Sequence, residues 1–141
     1  MVRMLKYLAI GVIAIIFVIF LSLKWMFWEP SDIPKNSLTY YLKVPKPVKE
    51  FPLWGTVNTP VYDVRYADGE KKSVTIIHYT SSLNQQDLLE KARNLAFRCR
   101  QLIEEGIICE KKIDVGQSIE LDFVKPAEAA RLKINVIFIG F

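Results

Sequence analysis

Histidine, cysteine and glycine are scarce in this 141-residue chain, and the shortage removes whole classes of chemistry. A single histidine, His78, cannot build a histidine-rich metal site, and the two cysteines, Cys99 and Cys109, supply neither a second ligand pair nor a C-x-x-C redox spacing. The six glycines stand apart from one another, so no phosphate-cradling loop is present. Ser73, His78 and Asp63 can be set out on paper as nucleophile, base and carboxylate, but no nucleophile elbow or oxyanion glycine accompanies them. No catalytic residue, metal ligand or cofactor-binding residue is therefore assigned, and the chain is read as noncatalytic.

Charge is missing from one long stretch. From Tyr7 to Leu23 no ionisable acid or base interrupts Leu, Ile, Val, Phe and Ala. Lys24 breaks the run, and Trp25, Met26, Phe27 and Trp28 resume it. As a helix, Tyr7–Trp28 would rise roughly 33 Å, enough for a hydrocarbon core of about 30 Å. Lys24 then lies where its stem can carry the ammonium to the headgroups, and Trp25 and Trp28, three residues apart, share a face at the aromatic belt. Glu29 and Pro30 close the helix. Arg3, Lys6 and the α-amine precede the run without an acid, so the N-terminus is expected in the cytoplasm and the remainder beyond the inner (plasma) membrane. A cleaved signal peptide is the competing reading; the long apolar core and the absence of an A-x-A-like site favour an uncleaved single-pass anchor.

Much of the basic balance belongs to this first segment. Arg3, Lys6 and Lys24 are three of the nineteen basic residues and Glu29 is one of the fifteen acids, leaving sixteen against fourteen from Pro30 onward. So even a balance gives no case for nucleic-acid binding. Lys35, Lys43, Lys46 and Lys49 are read as a solvated arm, with anionic headgroups as the alternative partner.

Three segments follow from these patterns. Residues 1–29 are the cytoplasmic N-terminus and anchor. Residues 30–60 hold six of the seven prolines and read as a juxtamembrane spacer that excludes helix, with an edge strand at 38–44. Residues 61–141 form an exported α+β domain. There, 61–66 and 73–79 read as a hairpin around residues 67–70, with Val64 opposite Val74 and Tyr62 opposite Ile76. A long helix is expected from Asn84 to Glu105, capped by Ser82 or Asn84, with Leu88, Ala92, Leu95, Ala96, Cys99, Leu102 and Ile103 on its apolar stripe and Gly106 as its stop. Strands at 107–113, 118–124 and 132–139 complete the domain, the last one apolar on both faces and hence central; 126–131 reads as a connector with a helical turn. The fold class is one long helix on a mostly antiparallel sheet of about five or six strands.

Within that frame the helix would carry Cys99 level with Cys109 on the returning strand, so an exported chain would close a disulfide between helix and sheet. Free thiols are the alternative. Trp54 reads as a lid on the core or as an aromatic contact for a partner; Arg93, Arg98 and Arg100 read as a solvated helix face or as a surface for an acidic partner. The functional expectation is an envelope protein whose exported domain binds another protein, as an accessory subunit of a membrane complex or a protector against an exported toxin. The alternatives are a small-ligand or lipid-binding module and, further off, a His78-dependent enzyme.

Overall fold

The computed structural model describes residues 2–67, 71–101, 106–124 and 131–141, without the side chains of 2–6 and 9. Strict alternation in the last third of the chain sets the architecture. In β5 (Gly106–Asp114), β6 (Gln117–Val124) and β7 (Leu132–Ile139), apolar side chains recur at alternate positions, broken in β5 by Lys111. Ile107, Cys109, Ile119, Leu121, Phe123, Ile134, Val136 and Phe138 all turn inward and are buried, as a sheet with one covered face requires. With β1 (Ile33–Pro34), β2 (Val61–Arg65), β3 (Val74–Ser81) and β4 (Arg98–Gln101) they make one antiparallel sheet of seven strands in the order β1-β2-β3-β7-β6-β5-β4. Strand β7 is central, as its two apolar faces predict.

Three helices cover the inner face. Helix α4 (Gln85–Asn94) begins at Asn84, whose Oδ1 accepts from Asp87 N at 2.9 Å, and it buries Leu88 and Ala92 one turn apart. The expected helix to Glu105 is cut short. Phe97 N donates to Ala92 O and Ala96 N to Arg93 O, while Ala96 takes a left-handed φ of 63°. This is a Schellman turn built on alanine instead of glycine, and Phe97 at its end is drawn into the core. Alanine gives no such warning in the sequence, because it is the best helix former. Leu95 and Ala96 are consequently exposed, Cys99 moves to β4, and residues 102–105, with Leu102 and Ile103 of the expected stripe, lie outside the described residues.

The proline-rich segment also departs from expectation. Leu38–Lys43 is helix α2, capped by Ser37 Oγ on Tyr40 N at 3.1 Å, and not an edge strand; Lys46–Lys49 is helix α3, with Pro47 in its first turn. A missing N–H is harmless there, so proline excludes only the helix interior. Tyr40, Val44 and Val48, four residues apart, enter the core, with the Tyr40 ring edge-on to Tyr62. The edge strand of this segment is β1, where Ile33 faces Tyr62 and Pro34 faces Val61.

The β2–β3 register differs by one residue. Val64 lies opposite Thr75 and Tyr62 opposite Ile77, so Thr75, Ile77, Tyr79 and Ser81 point inward and Val74, Ile76 and His78 outward. A central strand apolar on both sides cannot choose its face from its own pattern. The choice follows β7, where Asn135 is set opposite His78 and Ile137 opposite Ile76. Residues 68–70 of the expected turn, and 126–130 of the expected connector, lie outside the described residues.

Helix α1 (Val2–Met26) has 25 residues, and its side chains from Ile10 to Met26 are exposed. Among the described residues no helix is long and apolar enough to cross a membrane. A membrane span is thus an inference from the Tyr7–Trp28 run and not an observed property of the fold.

The exit from α1 is tied to the domain. Val64 N donates to Pro30 O at 3.0 Å, Asp32 N to Asp63 Oδ1 at 2.7 Å and Tyr66 N to Glu29 Oε1 at 2.9 Å, so residues 29–34 run along the edge of β2. Lys43 Nζ donates to Trp25 O at 2.7 Å and Met26 O at 3.4 Å and lies over the Trp25 ring. A cation at a helix C-terminus answers the orphan carbonyls and the dipole. Lys43 is therefore a clamp, not part of a solvated arm.

Two stability outcomes follow. Ala96→Gly removes the left-handed penalty on an L-residue, partly offset by the freer unfolded chain, and should raise unfolding free energy by about 0.5–1 kcal/mol in denaturant titrations of the full chain in micelles. Burial pushes the Tyr79 phenol from 10.0 up to about 12, its hydroxyl having no hydrogen-bond partner among the described residues and Trp54's backbone offsetting only part of that burial. Burial and the neighbouring Tyr40 hydroxyl push Tyr62 up as well. Both phenols keep protons in the fold that the unfolded chain has released, so the Tyr79 contribution is full below pH 10.0 and is lost as pH rises through about 12, and Tyr62 acts in the same direction. Denaturation midpoints should fall across this window, and Tyr79→Phe should flatten the fall.

Candidate functional site

Alternation along the strands sends a second set of side chains to the outer face, and none of these is buried. Two cross-strand rows give that face its character. In one, Asp63, Ile76, Ile137, Glu120, Glu110 and Arg98 lie side by side from β2 to β4. In the other, Val61, His78, Asn135, Asp122, Ile108 and Arg100 do the same. Val74 and Ile139 extend the aliphatic patch of Ile76 and Ile137 across β3 and β7. The helices lie on the other side, where Tyr40, Val44, Val48, Leu88 and Ala92 join the inward-facing residues in one core.

A chain of polar contacts crosses this face. His78 Nδ1 lies 2.8 Å from Asn135 Oδ1, and His78 Nε2 lies 3.1 Å from Asp63 Oδ2. Asn135 Nδ2 donates to Asp122 Oδ2 at 3.3 Å, which fixes the amide with its oxygen toward the ring. Asp63 accepts the Asp32 amide on its other oxygen. Both ring nitrogens of His78 thus face oxygen acceptors: a doubly protonated ring donates to both, and either neutral tautomer donates to one. The row ties β2, β3, β7 and β6 together through side chains as well as backbone.

Of the three residues that could be set out as a triad, the fold pairs two. Ser73 stands before β3, five residues and roughly 16 Å of strand from His78, and its hydroxyl donates to Phe141 O at 2.7 Å. Among the described residues no group of three or more His, Cys, Asp and Glu side chains is gathered as metal ligands would be.

The cysteines are joined, but as a different device from the one the sequence implied. Cys99 and Cys109 are directly opposed on β4 and β5, with Cα atoms 3.9 Å apart, and their sulfurs are bonded. The bridge links two neighbouring strands and not helix to sheet, because α4 ends before Cys99. Cys99 turns inward with Cys109, so Arg98 and Arg100 turn to the outer face, opposite Glu110 and Ile108. Strand β4 is an edge, five strand spacings or roughly 24 Å from β2.

The other expected site residues are dispersed. Arg93 is exposed in the last turn of α4, not on the strand with Arg98 and Arg100. Trp54 is half-buried against the core, tilted on Phe51 with centroids 5.8 Å apart, and its carbonyl accepts from Ser81 Oγ at 2.8 Å. Gly55 follows at a φ of 61°, and a Cβ there would meet Leu83 Cγ at 2.7 Å, so Trp54's position depends on that glycine. Trp25 and Trp28 are half-exposed on the last turn of α1 and just after it, and Lys24 Nζ lies 5.8 Å from the Phe20 ring. Sequence reading missed Asn135 as a partner of His78 and Asp122 as the acceptor behind Asn135; their alternation with Ile134, Val136, Leu121 and Phe123 placed them outward, but only strand order makes them neighbours.

The chain matches no known family model, no curated protein and no solved structure.

Replacing both cysteines, as Cys99→Ala with Cys109→Ala, opens a loop with a sequence separation of 10 and should cost about 2.5–3 kcal/mol in the chain-entropy account. Hydrogen exchange should then accelerate in 98–101 well before β6 and β7, which keep both neighbours.

Proposed function

We propose that the chain is a single-pass, membrane-anchored and noncatalytic envelope protein whose exported domain binds another protein through the outer face of its sheet. The observation that carries the binding reading is that face itself. It sets an aliphatic patch of Val74, Ile76, Ile137 and Ile139 beside charged residues of both signs, with α2, α3 and α4 packed on the opposite side. An antiparallel sheet can face water on one side, but its outward residues are then mainly polar; Ile and Val at the centre of the face are what a partner would cover. Arg98 and Arg100 at the edge and Asp63, Asp122 and Glu120 within the face supply a polar rim that would fix register and reject wrong partners.

Several features support the anchor. Helix α1 has 25 residues, an exposed aliphatic surface, and Trp25 and Trp28 at its exit. Export agrees with the closed disulfide, which persists outside the reducing cytoplasm. The orientation, with Arg3 and Lys6 in the cytoplasm and the domain beyond the inner membrane, rests on the charge pattern. An assembly subunit and a protector against an exported toxin both fit such a domain. A small-ligand module would need space between helices and sheet, where Leu88, Ala92, Leu121, Ile134, Val136 and Phe138 are each at 0 % exposure.

Photo-crosslinking probes at Ile76 and Ile137 in native membranes should each give the same discrete adduct, while a probe at Gln86 on α4 gives none. Adducts equally frequent at all three positions, or absent at Ile76 and Ile137, would refute binding through this face.

A further inference from the structure

Helix α2 has two apolar faces, and the fold uses only one. Tyr40 on the helix and Val44 just after it are buried in the core, whereas Leu38 is 75 %, Tyr41 59 % and Leu42 57 % exposed. These three residues stand at i, i+3 and i+4 and form one continuous outward stripe. Nothing in the domain's own packing calls for leucine at two of these positions. A polar residue would serve the fold equally and avoid the exposed area.

Position gives the stripe its meaning. The Lys43 clamp holds the end of α2 against the last turn of α1, at the Trp25 and Met26 carbonyls, with the ammonium 4.3 Å from the centroid of the Trp25 ring. Six residues of helix rise roughly 9 Å, so all of α2 lies within about a headgroup layer of Trp25. Trp25 and Trp28 at the exit of α1 and Tyr41 on α2 are exposed aromatic side chains of the kind a membrane interface collects. The flanks are mainly basic: from Asp32 to Glu50 the chain carries Lys35, Lys43, Lys46 and Lys49 against the two bounding acids, Lys35 and Lys46 are exposed, and Lys46 Nζ lies 3.6 Å from Glu50 in a surface pair that headgroups can replace. Lys49 donates to Tyr41 O at 2.8 Å, holding the Tyr41 end of α2 in place.

We propose that α2 is an interfacial anchor, with Leu38, Tyr41 and Leu42 seated in the headgroup–acyl boundary of the bilayer that α1 enters, and with Lys35 and Lys46 on anionic headgroups. This rests on the membrane-anchor reading. The occupant is lipid because the stripe is held beside the exit of α1 through Lys43 and its flanks carry four lysines against two acids, which suits an anionic leaflet. A second contact of this kind turns a single-helix tether into a fixed mount. The β2 edge, hydrogen-bonded to residues 29–34, is held near the bilayer, and the β4 edge with Arg98 and Arg100 is carried away from it.

The test uses the full chain, its native disulfide closed, spin-labelled singly through Leu42→Cys, Ile16→Cys or Val115→Cys and reconstituted in vesicles of phosphatidylcholine and phosphatidylglycerol. Ile16 lies within α1, and Val115 is 99 % exposed at the β5–β6 hairpin tip. Collision with oxygen, which partitions into lipid, and with an aqueous nickel complex then reads depth at each position. The expected result is lipid-like at Ile16, water-like at Val115, and a marked loss of nickel access at Leu42, lessened in pure phosphatidylcholine. A Leu42 label as open to nickel as Val115, with Ile16 still shielded, overturns the interfacial anchor and leaves the membrane span standing. An Ile16 label open to nickel overturns the span and the mount with it. Protection of Leu42 that is equal in both lipids overturns the anionic-headgroup contact.

Discussion

The seven strands are one sheet only because β7 stands between two groups that share no other pairing. On one side is β1-β2-β3, on the other β6-β5-β4, and the last strand of the chain pairs with both β3 and β6. This demands a strand whose two edges and two faces are all satisfied. Leu132–Ile139 meets the demand with Ile134, Val136 and Phe138 inward and Ile137 and Ile139 outward. The Phe138 ring also receives Phe51 and Phe141 edge-on, so the proline-rich segment and the C-terminus close on the same strand. The cost is long-range pairing: β3 and β7 are far apart in sequence, and loop closure must precede any reward from their contact.

The same strand sets the chemistry of the outer face. Asn135 reaches His78 on one side and Asp122 on the other, and the row from Asp63 to Asp122 exists only with β7 in place. Arg98 and Arg100 join that face because the disulfide holds Cys99 inward beside Cys109. An edge strand bearing two arginines is also poorly suited to unwanted pairing with another chain, since charge discourages strand addition. The aliphatic patch lies inside the sheet, away from this guarded edge.

Between helix α1 and the sheet there is no loose arm. Glu29, Pro30 and Asp32 are hydrogen-bonded along β2, and Lys43 holds the end of α1 from the other side. A tether of this kind transmits orientation as well as position. If α1 lies in a bilayer, the face that a partner meets is fixed relative to the membrane plane, and the order of strands becomes an order of distance from it.

The sequence by itself determined what short-range pattern can carry. Alternation specified β5, β6 and β7 with most of their inward residues; Asn84 and the Leu88–Ala92 spacing started the helix; the uncharged Tyr7–Leu23 run lies within helix α1. Cys99 and Cys109 were legible as a pair, since they are the only two. Tertiary structure decided the rest. Helix α4 stops at Asn94 and Ala96 turns left-handed because Phe97 gains more by entering the core than Ala96 loses at positive φ, a balance that no local propensity records. The bridge therefore became cross-strand. Pro47 proved compatible with a helix because it fell in a first turn, which depends on where Tyr40, Val44 and Val48 must pack. The β2–β3 register was set by β7, a neighbour distant in sequence, and with it the outward placement of His78. Period-two patterns state that a strand has two faces; which face is buried is settled only when the adjacent strand arrives.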